Sequence, residues 1–238
     1  MEIHKPHPIH SWREFLKEVG IIVLGVLIAL GAEQSVAALR ERHAADEARR
    51  NVLAEVQWNL GFIRDRVSNE PCIDRRIDEL AALLGSARDG ALDPAPTWIG
   101  RPSIDPVFSE RWQSATASGR SSLFDPVEQR NFDLLYSLLA RVNAHETNEQ
   151  VAWTQLRALE TWTGPLGPPA RLAFAQALQE ARYEAWDLKQ DAAFALGTGK
   201  SLGIELPKAS HVTTSICLPL NTTRADAVRR LGTPWGEP

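Results

Sequence analysis

Apolar side chains along this chain form one unbroken run and then recur at helical intervals. Residues 19–32 read VGIIVLGVLIALGA and carry no charged or polar side chain. A spanning helix needs ~20 apolar residues at ~1.5 Å rise each. The run reaches that length by passing Glu33 and Gln34 into Ser35-Val36-Ala37-Ala38-Leu39. The pattern predicts a tail over residues 1–18 and a transmembrane helix over residues 19–39, with Trp12 at headgroup depth. Two other readings compete. A cleaved signal peptide would use Ala29-Leu30-Gly31 as its small-residue site, but Glu14 and Glu18 do not suit its positive flank. A buried core helix is the third.

Past the run, residues 40–52 lack an apolar stripe but favour helix through alanine and i,i+4 charge pairs such as Arg42 with Asp46. They predict a helical stalk. Leu53, Val56, Leu60, Ile63 and Val67 then repeat at 3-4-3-4 spacing, the seam of a bundle. Pro71 marks an interruption, and Ile73, Ile77, Leu80 and Leu84 predict a second helix closed near Gly85 to Gly90. Four prolines within residues 90–106 exclude regular structure there. A short helix is expected over 107–118, with Trp112 in its core face. Asp125-Pro126-Val127-Glu128 is a helix start, with an N-cap Asp, Pro at the first turn and Glu at N3. That helix runs through Phe132, Leu135, Leu139 and Val142, crosses a polar stretch at 143–150, resumes with Trp153, Leu156 and Leu159, and ends at Thr163-Gly164-Pro165. Pro168-Pro169 opens a last long helix through Leu172, Ala175, Leu178, Trp186 and Ala193 to about Leu196.

The expected fold is all-α: a transmembrane helix (19–39) continuing through a stalk (40–52) into an antiparallel bundle of about four main helices (53–196). An irregular tail (197–238) follows, with a short helix near Arg224 to Leu231.

Net charge is −4, and the first 50 residues hold as many acidic as basic side chains. No basic patch is visible, so nucleic-acid binding is disfavoured. Charge does not orient the helix, because Lys5, Arg13 and Lys17 before it balance Arg40, Arg42, Arg49 and Arg50 after it. The only cysteines, Cys72 and Cys217, fit one disulfide in an exported domain. The other reading is two buried thiols in a reducing compartment. The exported reading places the N-terminus inside and the domain outside. Within the membrane, Gly25 and Ala29 form a small-xxx-small pair that Ala32 continues, with Glu33 beside them. This stripe is the candidate contact for a second copy or for another inner-membrane protein.

Candidate chemistry is sparse. His4, His7 and His10 recur every third residue among prolines, a spacing that polyproline II would align for Cu or Ni, but incidental histidines explain it as well. His145-Glu146 with Glu149 reads HExxE and lacks the second His of a zinc protease; a solvated polar face is the simpler expectation. Ser118, Ser121 and Ser122 lack a Gly-x-Ser-x-Gly setting. Asn221-Thr222-Thr223 is a formal glycosylation sequon. Trp235, in the tail, has no obvious core and is a candidate partner contact. No catalytic residue, cofactor or metal is expected.

The stretch HSWREFLKEVGIIVLGVLIALGAEQSV, with CIDRRIDEL at 72–80 and RWQSATASG at 111–119, resembles a group of bacterial proteins of unknown function. Those have a Trp-Arg-Glu-Phe-Leu segment, a short membrane helix ending in Glu-Gln and a helical extracytoplasmic domain. The resemblance implies an inner-membrane anchor, a periplasmic domain and oxidised cysteines, and it supplies no activity. The expected function is a membrane-anchored, non-enzymatic interaction or scaffold protein of the bacterial envelope. The alternatives are a periplasmic ligand-sensing bundle acting through a partner and a hydrolase whose site assembles only in three dimensions.

Overall fold

The computed structural model describes residues 12–87, 92, 94–206, 209 and 214–232, with Glu14 described by its backbone alone. Among them the architecture is helical, with no β-strand. Helix α1, Trp12–Ser68, runs without a break for 57 residues, ~85 Å at the standard rise. It is the one described helix long and apolar enough to cross a membrane, and its apolar segment is unburied. The expected stalk is shorter than its predicted bounds, because packing begins at Ala45 and includes Val52. Alanine at 45 and 48 forms an inward face too small to register as an apolar stripe.

At Asn69 the helix passes almost directly into α2, Glu70–Ser86. Pro71 lies in the first turn of α2, where its missing N–H costs nothing. Helix α3, Glu110–Ala117, is short. Helix α4, Pro126–Arg157, starts where expected: Asp125 accepts from the backbone N–H of Val127 and Glu128. Its last turns tighten into a 3-10 turn, Ala158–Thr161. Helix α5, Pro168–Ser201, extends beyond the predicted end near Leu196. Helix α6, Arg224–Leu231, is capped by Thr223.

Ion pairs set the directions of the helices. Helix α5 descends against α2 through Glu70 with Lys189 and Asp78 with Arg182, and against α4 through Arg141 with Asp191 and His145 with Glu184. Helices α1 and α4 therefore run the same way, pairing Arg49 with Glu128 and Arg66 with Glu149. Parallel neighbours need a long return, and the proline-rich segment before α3 supplies it, leading the chain from the far end of α2 back to the middle of α1. At Gly199 of α5, a Cβ would lie 2.2 Å from Leu60 Cδ1. That distance shows how closely α5 and α1 approach.

The bundle has two main apolar cores. The one nearer the apolar segment of α1 joins Val56 and Leu60 of α1 and Trp112 of α3 to Phe132 and Leu139 of α4 and Leu188 of α5. Trp112 stacks on Tyr136 at 5.6 Å. The distal one joins Ile73, Ile77 and Leu80 of α2 to Trp153 and Leu156 of α4 and Leu178 of α5. The α5 stripe differs from the predicted one. Leu172, Ala175, Trp186 and Ala193 face outward, and the inward face is Phe174, Ala177, Leu178, Ala181, Ala185, Leu188, Ala192 and Ala195. Small residues let α5 lie close to its neighbours, so its bulkiest side chain, Trp186 (58% exposed), sits on the outer face.

The tail is docked on the distal end. Cys72 and Cys217 are bonded across 145 residues. Arg76, fully buried, donates to the carbonyls of Trp98, Ile99 and Leu218. The backbone N–H groups of Thr97 and Trp98 donate to the carbonyl of Leu220. Gly100 has φ +70°, and a Cβ there would lie 2.4 Å from the carbonyl oxygen of Ser215. Both the turn and the close approach require glycine.

Candidate functional site

Two features stand out from the packing: an ionic belt between the cores and an aromatic groove on the outer side of α1.

The belt corrects the expectation of a solvated face at His145, Glu146 and Glu149. Glu149 is 0% exposed and Glu146 3% exposed. Arg66, also buried, donates to both oxygens of Glu149 at 2.9 and 3.0 Å. Glu70 lies 3.8 Å from Arg66 and takes Lys189 at 3.0 Å on its other side. Burial raises the carboxyl of Glu149 and outweighs the opposing pull of the Arg66 guanidinium. Glu146 has no such cation in direct contact. Burial, and next the negative charge of Asp105, push it up to about 8, against the charge of Arg66 and a backbone hydrogen bond from Asp105. The folded environment therefore favours its protonated form.

His145 turns the other way, to α5. Its Nδ1 lies 2.6 Å from Glu184 Oε2 and its Nε2 3.6 Å from Asp191 Oδ2. Consecutive helical residues point ~100° apart, so the HExxE residues divide between two interfaces. Among the described residues, no group of three or more His, Cys, Asp or Glu is placed to hold a metal ion. The serines do not converge on His145 either: Ser118 and Ser122 hydrogen-bond to backbone carbonyls within their own turns.

The groove encloses about 650 Å³ between α1 and the start of α3, lined by Asn51, Trp58, Phe62, Phe108, Glu110 and Arg111 among others. A smaller hollow of about 200 Å³ continues it toward the apolar segment of α1 along Ala44, Glu47 and Asn51. Trp58 is 67% exposed; its ring lies 6.1 Å from that of Phe62, which lies 6.4 Å from Phe108. The walls are fixed from beneath. Asn59 holds the Phe108 backbone by donating to its carbonyl at 2.7 Å and accepting its N–H at 2.9 Å. Glu55 accepts from the N–H groups of Arg111 and Trp112 and from the Tyr136 hydroxyl at 2.6 Å. A carboxylate at the start of α3 meets orphan amide N–H groups there. Burial, and then Glu55, raise the Tyr136 phenol well above its ordinary range, so the hydroxyl stays a donor.

Of the residues predicted from sequence, Cys72 and Cys217 are joined. Gly25, Ala29, Ala32 and Glu33 are exposed on the apolar part of α1, with nothing within 4 Å of where a Gly25 Cβ would sit. Asn221 is exposed, Thr222 is buried and Thr223 caps α6. His4, His7, His10 and Trp235 lie outside the described residues. Trp58, Glu55 and Arg66 were not anticipated. Trp58 fell outside the α1 seam, which was the one signal that it faces outward. Nothing local identified the partners of Glu55 and Arg66. No protein-family model, curated protein or solved structure matches the chain.

Proposed function

We propose that this protein is a single-pass, non-enzymatic interaction or scaffold subunit of the bacterial inner membrane, with its N-terminus in the cytoplasm and its helical domain in the periplasm. The observation that carries this reading is the aromatic groove on a helix continuous with the apolar segment. A stiff rod presents exposed Trp58 and Phe108 with half-buried Phe62 between them at a defined height, and clustered aromatics flanked by Arg are typical of the residues that dominate protein interfaces. Among the described residues, Arg66 with Glu149 and His145 with Glu184 pair helix to helix, which suits a structural role. The oxidised cysteines and the resemblance of the Trp-Arg-Glu-Phe-Leu segment to bacterial envelope proteins support the periplasmic placement.

Cross-linking in native membranes followed by affinity purification tests it. A neighbour captured by the natural chain and lost with Trp58→Ala, at unchanged thermal midpoint, is the expected result. A chain that is monomeric in detergent and purifies alone would count against it. The buried acid of the belt favours a second reading, a sensing bundle acting through a partner. A small ligand that raises the thermal midpoint of the full chain, and does so less in Glu146→Gln, would favour it over the first.

A further inference from the structure

Resting on the membrane-anchored reading above, we infer that the partner along α1 is a second copy of the chain, forming a parallel two-fold dimer. The contact would run from the Gly25/Ala29/Glu33 stripe up through the groove at Trp58.

The argument begins with helical geometry. At ~100° per residue, Ala29, Glu33, Glu47 and Asn51 all lie within ~20° of the direction of Trp58, and Ala54 and Phe62 within ~40°. The core residues Val52, Val56, Leu60 and Ile63 point to the other side, ~120–160° away on the same count. The groove and the membrane stripe are therefore one face of one uninterrupted helix.

Whatever covers this face must be an elongated element that also leaves the membrane alongside α1. From Gly25 to Phe62 it must remain in contact for ~55 Å. Helix α1 is itself such an element, with the matching length and, in a shared membrane, the matching direction. Contact on that scale approaches the ~1,600 Å² of a standard interface.

The chemistry is self-complementary. Gly25 and Ala29 allow close approach of two backbones. Glu33 lies beside them, and a polar side chain in an apolar segment calls for a polar partner, which the same residue of a second copy supplies. In the groove, exposed Glu110 and Arg111 are adjacent and opposite in sign, and a two-fold operation sets Arg111 of one copy against Glu110 of the other. Trp58 supplies the apolar centre between them. Arg40 shares the face at the edge of the apolar segment, where a long side chain turns out to the headgroups.

The test uses the full chain in native membranes with its disulfide intact. A photo-reactive benzoylphenylalanine replaces Trp58, Ala29, Leu27 or Trp186 in turn. Leu27 lies on the opposite face of the same membrane segment, and Trp186 is exposed on α5. The expected result is a covalent adduct of twice the chain mass from positions 58 and 29, at least tenfold above the yield from positions 27 and 186. Equal yields at all four positions would overturn the proposal. Adducts at 58 and 29 with a different protein and none with the chain itself would overturn the second copy while leaving the interaction reading standing. No adduct at any position would overturn both.

Discussion

Glu146 shows how much one buried carboxyl can weigh. Its proton-binding range in the folded chain, about 8, lies above the ordinary 4.5. Between those values the folded state holds a proton that the unfolded state has released. Stability is therefore full below pH ~4.5, falls as pH rises and levels off above about 8. At ~1.4 kcal/mol per unit, the loss at pH 7 is on the order of 3 kcal/mol. Glu146→Gln removes the titration at nearly constant volume. Urea unfolding should find it more stable than the natural chain at pH 8 and equal to it near pH 4; equal midpoints at both would refute the assignment. Arg76 carries a different load, because its guanidinium serves three carbonyls of the crossover and tail. Arg76→Leu leaves those acceptors buried and should cost ~3 kcal/mol, read as a lower denaturation midpoint. Some residues were legible in the sequence. Asp125 was, because an N-cap acts within three residues. Glu146 and Glu149 were not, because the surfaces that bury them, Arg66 among them, lie about 80 residues earlier in the chain.

Helix α1 was read correctly as one object, since its apolar run, its charged alanine-rich segment and its seam are all helical and no breaker separates them. Helix α5 was found as a helix but assigned the wrong face. Periodicity marks a stripe only where inward residues are bulkier than outward ones, and here the inward residues are largely alanine. The consequence is measurable. Trp186→Ala, on the exposed face, should shift the thermal midpoint by no more than ~0.5 kcal/mol's worth. Ala181→Leu, fully buried in the distal core, should cost ~1–3 kcal/mol through overpacking. The opposite order would restore the predicted face. The polar stretch of α4 follows the same logic. Its charges read as solvent-facing because charge is usually hydrated, yet Arg66 of α1 pairs with Glu149, Glu184 of α5 pairs with His145, and Glu146 and Glu149 are buried.

Across the whole molecule, the Cys72–Cys217 bond and Arg76 tie the tail to the distal end of the bundle, farthest along the rod from the apolar segment. Closing a loop of 145 residues contributes ~4–5 kcal/mol in the chain-entropy model. Replacing both cysteines with alanine should lower stability by up to that amount. The natural chain should resist thiol labelling in intact cells until it is reduced and unfolded; free labelling without reductant would remove the main support for a periplasmic domain. By itself the sequence determined the helical class, the extent of the apolar segment, the start of α4 and the break before α5, because hydrophobic period, capping and proline act over a few residues. Only the tertiary structure decided that α1 and α4 run parallel, that a charged belt separates two cores, and that Trp58 faces outward over a groove. Each of these depends on which distant surface comes to lie against a given face, and local pattern carries no record of that.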